Sequence, residues 1–102
     1  MLKVRNMEGN SGPVANQFII EGEGKRVFQS YESVCAVWEK KENKLILGQD
    51  CLFSRTTAKY LYSFVQNETP IDGFNRKIAL KAMDEGKIDL DGFKIEFDEN
   101  LV

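Results

Sequence analysis

The sequence contains no histidine in its 102 residues. That removes the Ser-His and Cys-His pairs that activate most hydrolytic nucleophiles, and with them the commonest zinc ligand. Cysteine is scarce as well. Cys35 and Cys51 stand alone, with no Cys-x-x-Cys pair to hold a metal or form a redox dithiol. Long apolar runs are missing, since none approaches the roughly 20 residues a membrane-spanning helix needs. The start, Met-Leu-Lys-Val-Arg-Asn, lacks the apolar centre of a secretion signal. These absences lead us to expect a cytoplasmic protein with reduced thiols, no membrane association, no cofactor and no enzymatic activity.

An excess of positive charge is also lacking. The formal net charge is -2, against the dense positive charge of a nucleic-acid coat or a polybasic membrane binder. Residues 1–66 sum to +2 and residues 67–102 to -4, a mild asymmetry that two solvated faces explain. Asp84, Glu85, Asp89 and Asp91 do not follow calcium-loop spacing and read as a solvated acidic face. Gly22-Glu23-Gly24-Lys25 lacks the full phosphate-loop pattern and reads as a turn.

What is present is the material of one core. Hydrophobic residues make up 42%, charged residues 29%, and seven Phe, three Tyr and Trp38 supply large side chains to bury. We expect a single domain over residues 1–102, with residues 1–15 partly flexible and 98–102 a frayed tail. Glu8 to Pro13 reads as a loop.

Periodicity gives the elements. Residues 2–7 alternate as a short strand. Phe18-Ile19-Ile20 and Val27-Phe28 form a hairpin turning at Glu23-Gly24. That turn pairs Ile20 with Val27 and puts Phe18 on their face, while Ile19 and Phe28 share the other. Both faces are apolar, so each needs a cover, from a helix or from a partner chain. Val34–Trp38 and Lys44–Leu47 form a second hairpin. Residues 53–66 read as an amphipathic helix capped by Ser54, burying Ala58, Leu61, Tyr62 and Val65, with Phe64 widening that face. Pro70 stops it. Phe74, Ile78, Ala79, Ala82 and Met83 mark a second helix that Gly86 ends. Residues 87–97 form a closing hairpin around Asp91-Gly92. The expected fold is α+β: an antiparallel sheet of about five or six strands with two α-helices packed on it.

Several side chains are candidates for a binding surface. Ser54, Arg55, Thr56 and Thr57 put hydroxyls, an arginine and free backbone N–H groups at a helix start, which either holds an anion or is plain capping. Lys40 and Lys41 sit at a hairpin tip, where they meet an acidic partner or simply guard the edge. Asn16, Gln17, Gln29, Ser30 and Tyr31 lie at strand ends, as backbone caps or as a ligand surface. Lys25, Arg26, Lys40, Lys41, Lys44, Arg55 and Lys59, with Tyr31 or Tyr60 for stacking, would make a nucleic-acid platform if they shared one face. Cys35 reads as a core thiol. Cys51 follows Asp50 near a helix start, which favours a thiolate somewhat, but an unreactive thiol is the preferred reading there as well.

Four runs carry a resemblance: Val4-Arg5-Asn6-Met7, Ala15-Asn16-Gln17-Phe18-Ile19-Ile20, Phe28-Gln29-Ser30-Tyr31-Glu32-Ser33 and Ser54-Arg55-Thr56-Thr57-Ala58-Lys59-Tyr60. Together they resemble a family of small uncharacterised proteins of bacteriophages, prophages and plasmids, over most of residues 4–90. Members often carry a tryptophan before the Ser-x-Thr-Thr helix; here Cys51-Leu52-Phe53 stands there, so an aromatic contact falls to Phe53. The resemblance implies a mobile-element source and a fold, and no catalytic residues. The function expected is a non-enzymatic interaction module acting on a host or phage protein, with a homodimer through a hairpin edge. The alternative is a nucleic-acid-contacting accessory protein.

Overall fold

The computed structural model of the protein describes residues 2–101. Met1 and Val102, the outer ends of the expected flexible start and tail, lie outside the described residues. Seven strands form one sheet: β1 (Lys3–Gly9), β2 (Gly12–Gly22), β3 (Lys25–Ser30), β4 (Ser33–Glu39), β5 (Lys44–Leu47), β6 (Lys87–Leu90) and β7 (Phe93–Phe97). Two helices, α1 (Arg55–Glu68) and α2 (Arg76–Glu85), lie between β5 and β6 in the chain. The strand order is β1-β2-β3-β4-β5-β7-β6. The class is α+β as expected, with seven strands rather than five or six. The strand read at residues 2–7 joins the sheet as β1, and both it and β2 run further than expected. Glu8 pairs with Pro13 and Gly9 with Gly12, so the stretch read as a loop is the tip of a long hairpin.

Four consecutive hairpin links build the first five strands, and the registers follow the alternation of apolar residues except at bulges between Asn6 and Glu8 and opposite Phe28 and Gln29. Ile20 pairs with Val27 and Ile19 with Phe28, as the Glu23-Gly24 turn requires. The sheet is not wholly antiparallel. β7 lies parallel to β5, matching Leu45 with Ile95 and Leu47 with Phe97. The closing hairpin turns on Asp91 and Gly92, both at positive φ, and pairs Ile88 with Ile95. Its inner strand buries Ile95 completely, so that strand docks against β5 and β6 becomes the edge.

Both helices cover one face of the sheet. Met7, Ile19, Phe28, Trp38, Leu45, Leu47 and Ile95 point into a core closed by Leu61, Phe64, Val65, Ala79 and Ala82. The rings of Phe28 and Phe64 stack at 5.8 Å, fixing α1 over β3. Burying such side chains contributes roughly 1.5–3 kcal/mol each. The buried face of α1 is rotated from the one expected: Thr57, Ala58, Leu61, Phe64 and Val65 are buried, while Tyr62 is half-buried against the Phe74 ring. Thr57, Leu61 and Phe64 line the same helical row, and the small Thr57 earns its place through a hydrogen bond rather than apolar area.

The ends of the helices carry local signals. Ser54 caps α1, its Oγ accepting from Thr57 N at 3.1 Å. Thr69, extended before Pro70, donates its hydroxyl to Val65 O at 2.7 Å. Asn75 caps α2 by accepting from Ile78 N at 3.0 Å, and Gly86 closes it at φ 86° with its N–H on Ala82 O. At the chain end, Asp98 N donates to Leu47 O and Leu101 N to Asp98 O.

Candidate functional site

The β2–β3 and β3–β4 turns place the candidate residues at two opposite ends of the sheet. At one end Ser30 pairs with Ser33, at the other Lys25 pairs with Glu39. The helix α1 runs between these ends, with Thr57 beside Ser30 and Glu68 beside Arg26.

The first end gathers three of the resemblance runs. Asn16 and Tyr31 both take positive φ, at 65° and 55°, and the Tyr31 N–H donates to Asn16 O at 2.7 Å. Gln29 donates Nε2 to Tyr31 O at 2.7 Å, holding that turn from the side. Gln17, facing the core opposite Ser30, is buried, and its Oε1 has no hydrogen-bond partner among the described residues. Ser30 Oγ and Ser54 Oγ both lie against the buried Thr57 hydroxyl, at 3.1 and 3.2 Å. Ser33 donates to Asp50 Oδ2 at 3.0 Å. Around these groups is an open cleft of about 180 Å³, lined by Ser30, Tyr31, Ser33, Asp50, Phe53 and Thr57 over the Cys35 thiol. Its two aromatic walls are unusually bare: Phe53 is 81% exposed and Tyr31 58%.

Ser54, Thr57, Gln29 and Tyr31 therefore belong to one neighbourhood. Arg55 belongs to the next one, a shallow groove on the flank of α1 that it lines with Lys59 and Arg76, and Thr56 is exposed beside it. Lys40 and Lys41 lie apart from all of these. Lys40 donates its N–H to Gly24 O at the far end of the sheet. The eight residues expected to form one surface thus divide between two ends. So do the basic residues expected to make a nucleic-acid platform. Lys25, Arg26, Lys40, Lys41 and Lys44 are at the far end, and Arg55 and Lys59 at the near one.

Much of the far-end charge is already paired. Arg5 bridges Glu68 at 2.7 Å and Glu21 at 3.2 Å, Lys25 and Lys44 flank Glu39, and Arg26 donates Nη1 to Glu68 O at 2.9 Å. Burial lowers the Arg5 pKa, but the hydrogen bond to Glu21 and the charge of Glu68 outweigh it and raise the value overall. These contacts satisfy a carbonyl at the C-terminus of α1 and tie the helix to β1, β2 and β3.

Neither thiol is poised to react. Burial pushes Cys35 up to about 11 and Cys51 up to about 12, from an ordinary value of 9.0. The slight thiolate bias noted at Cys51 does not arise, in keeping with the inert reading preferred for it: the side chain is fully buried with Sγ 3.8 Å from Met83 Sδ, so desolvation outweighs the nearby helix start. No helix among the described residues is long and apolar enough to cross a membrane.

A second feature lies on the uncovered face. In register across five adjacent strands stand Val4, Ile20, Val27, Val37 and Ile46. None of them joins the cluster beneath the helices, although Val37 is itself buried at 8% exposure and Ile20, Val27 and Ile46 are half-buried among their neighbours. Val4 is 63% exposed, and Leu2, 71% exposed, reaches over Gly22 on the same side. Leu2, Ile20, Gly22 and Val27 line a groove of about 400 Å³ there. Sequence reasoning found the alternation that creates this face. It did not find the cleft, because Asp50 and Phe53 sit in an irregular link whose path no periodicity fixes.

No curated protein and no solved structure matches the chain. A family described only as of unknown function, DUF8033, matches residues 2–85, which takes in the first five strands, both helices and every residue of the cleft but not the closing hairpin. The expectation of a family without an assigned activity holds at that level, and the chain belongs to the DUF8033 family.

Proposed function

We propose that the protein is a non-enzymatic, cytoplasmic interaction module that works as a homodimer through its uncovered sheet face. The observation carrying this reading is the row Val4-Ile20-Val27-Val37-Ile46, five apolar side chains in register with no helix over them. Contiguous apolar surface of this kind marks an interface.

One further observation favours a second copy as the occupant: the central rows of the face complement themselves. A two-fold axis along the strands between β3 and β4 sets Val27 against Val37 of the second copy and Ile20 against its Ile46. The same axis sets Lys25 against its Glu39, the neighbouring register row. Sheets packed face to face keep their strands within about 30° of each other, so these central matches survive the sheet twist. The hairpin edge first expected as the contact carries Lys3, Arg5 and Glu8, charges that discourage strand addition.

The mobile-element source, and a host or phage protein as the eventual target, rest on the resemblance of the four runs. The nucleic-acid alternative gains no support from the two separated groups of basic residues. The test of the interface is Val27→Lys. Sedimentation velocity should show the variant as a monomer with an unchanged far-ultraviolet spectrum. A variant that sediments like the unsubstituted protein, self-associated or not, would count against this face.

A further inference from the structure

The cleft at the near end of the sheet combines two things rarely found together by accident of packing: bare aromatic walls and an unpaired carboxylate on a hydroxyl-bearing floor. Phe53 and Tyr31 would each bury more surface folded against the chain, yet both stand in solvent while lining the cleft. Asp50, half-buried, lines it with them. It accepts from Ser33 through Oδ2, and none of the ion pairs among the described residues includes it. The cleft itself is lined by no basic residue, while Arg55, Lys59 and Arg76 line the adjoining groove that shares Phe53 with it.

The lining of the cleft itself favours a cation with a flat face. Aromatic faces attract cations through the ring quadrupole, more strongly when the site is partly dry. An ammonium would satisfy the carboxylate alone. A guanidinium offers five N–H donors in one plane and stacks on rings as well. The acceptors available here are several: Asp50 and the hydroxyl oxygens of Ser30, Ser33 and Thr57. The volume of about 180 Å³ holds a guanidinium with part of its methylene stem. We infer that this cleft is a binding site for an arginine side chain presented by a protein partner. Its guanidinium lies between Tyr31 and Phe53 and donates to Asp50. The site is separate from the apolar face, since Ser30, Ser33 and Thr57 all lie on the helix side or end of the sheet.

The test is a heteronuclear NMR titration of the isotope-labelled protein with a blocked arginine, N-acetyl-arginine amide, beside N-acetyl-citrulline amide and free L-arginine. Citrulline keeps the shape and loses the charge. The expected result is saturable shifts of the amides of residues 30–35 and 50–57 with blocked arginine, and none with citrulline. Asp50→Asn should weaken that binding about tenfold or more, as for loss of a charge-assisted pair. Phe53→Ala should weaken it several-fold. Phe53 is so exposed that its removal leaves the fold intact, and the rest of each spectrum verifies this. Equal binding of citrulline, shifts confined to the apolar face, absence of shifts, or no effect of Asp50→Asn would each overturn the inference. Tighter binding of free L-arginine than of the blocked form would replace a protein side chain with a small molecule as the ligand.

Discussion

At Gly48 the chain leaves β5 with its N–H on Cys35 O at 2.8 Å. A Cβ there would lie 2.5 Å from the Val34 carbonyl oxygen, a backbone atom that cannot swing aside. Gly48→Ala should therefore cost roughly 1–3 kcal/mol in urea unfolding, as overpacking does. The exposed neighbour change Gln49→Ala should stay within about 0.5 kcal/mol. The two thiols give a pH dependence. In the unfolded chain they ionise near 9.0, whereas burial holds them protonated to about 11 and about 12. The folded state binds more protons between those values, so stability is full below pH 9 and falls as pH rises through that window. The loss is on the order of 1 kcal/mol per pH unit for each thiol. Urea unfolding at stepped alkaline pH should show a shallower decline for the Cys35→Ala/Cys51→Ala double variant than for the natural chain. Identical slopes would mean the thiols are not desolvated. Residue type was a good guide to Cys35, an apolar-strand thiol, and a less complete one to Cys51, where a slight thiolate bias also stood. There the neighbouring helix start was visible in the sequence and the covering Met83 was not.

Among the elements, hairpins were the most legible, because a two-residue turn fixes register and register fixes faces. The Ile20–Val27 and Ile88–Ile95 pairs follow directly from Glu23-Gly24 and Asp91-Gly92. The parallel contact of β7 with β5 was not legible, since it depends on how two helices route the chain back to the sheet. Helix α1 shows the same limit. Its apolar residues span more than half the helix circumference, so the pattern alone does not choose between Tyr62 and Phe64 as the centre of the buried face. The Phe28 ring chooses Phe64. Phe64→Ala should accordingly cost about 3–5 kcal/mol, and Tyr62→Ala less than about 2 kcal/mol, as suits a half-buried ring. Chemical denaturation of both variants checks this. A larger loss for Tyr62→Ala would mean that α1 is rotated on the sheet.

On the scale of the whole molecule, two helices cannot cover both faces of a seven-stranded sheet, and the chain places both on one side. The consequence was foreshadowed by the first hairpin, whose two faces are both apolar. The Ile19 and Phe28 face receives α1, and the Ile20 and Val27 face receives no helix, only Leu2 at its edge. What the sequence could not supply was the continuation of that face across β4, β5 and β1, because the row exists only once five registers align. Light scattering coupled to size exclusion, run on the unsubstituted protein over a range of loading concentrations, tests the resulting claim most directly. The account predicts a mass approaching twice 11.7 kDa as concentration rises. A constant mass of 11.7 kDa at every concentration would contradict it.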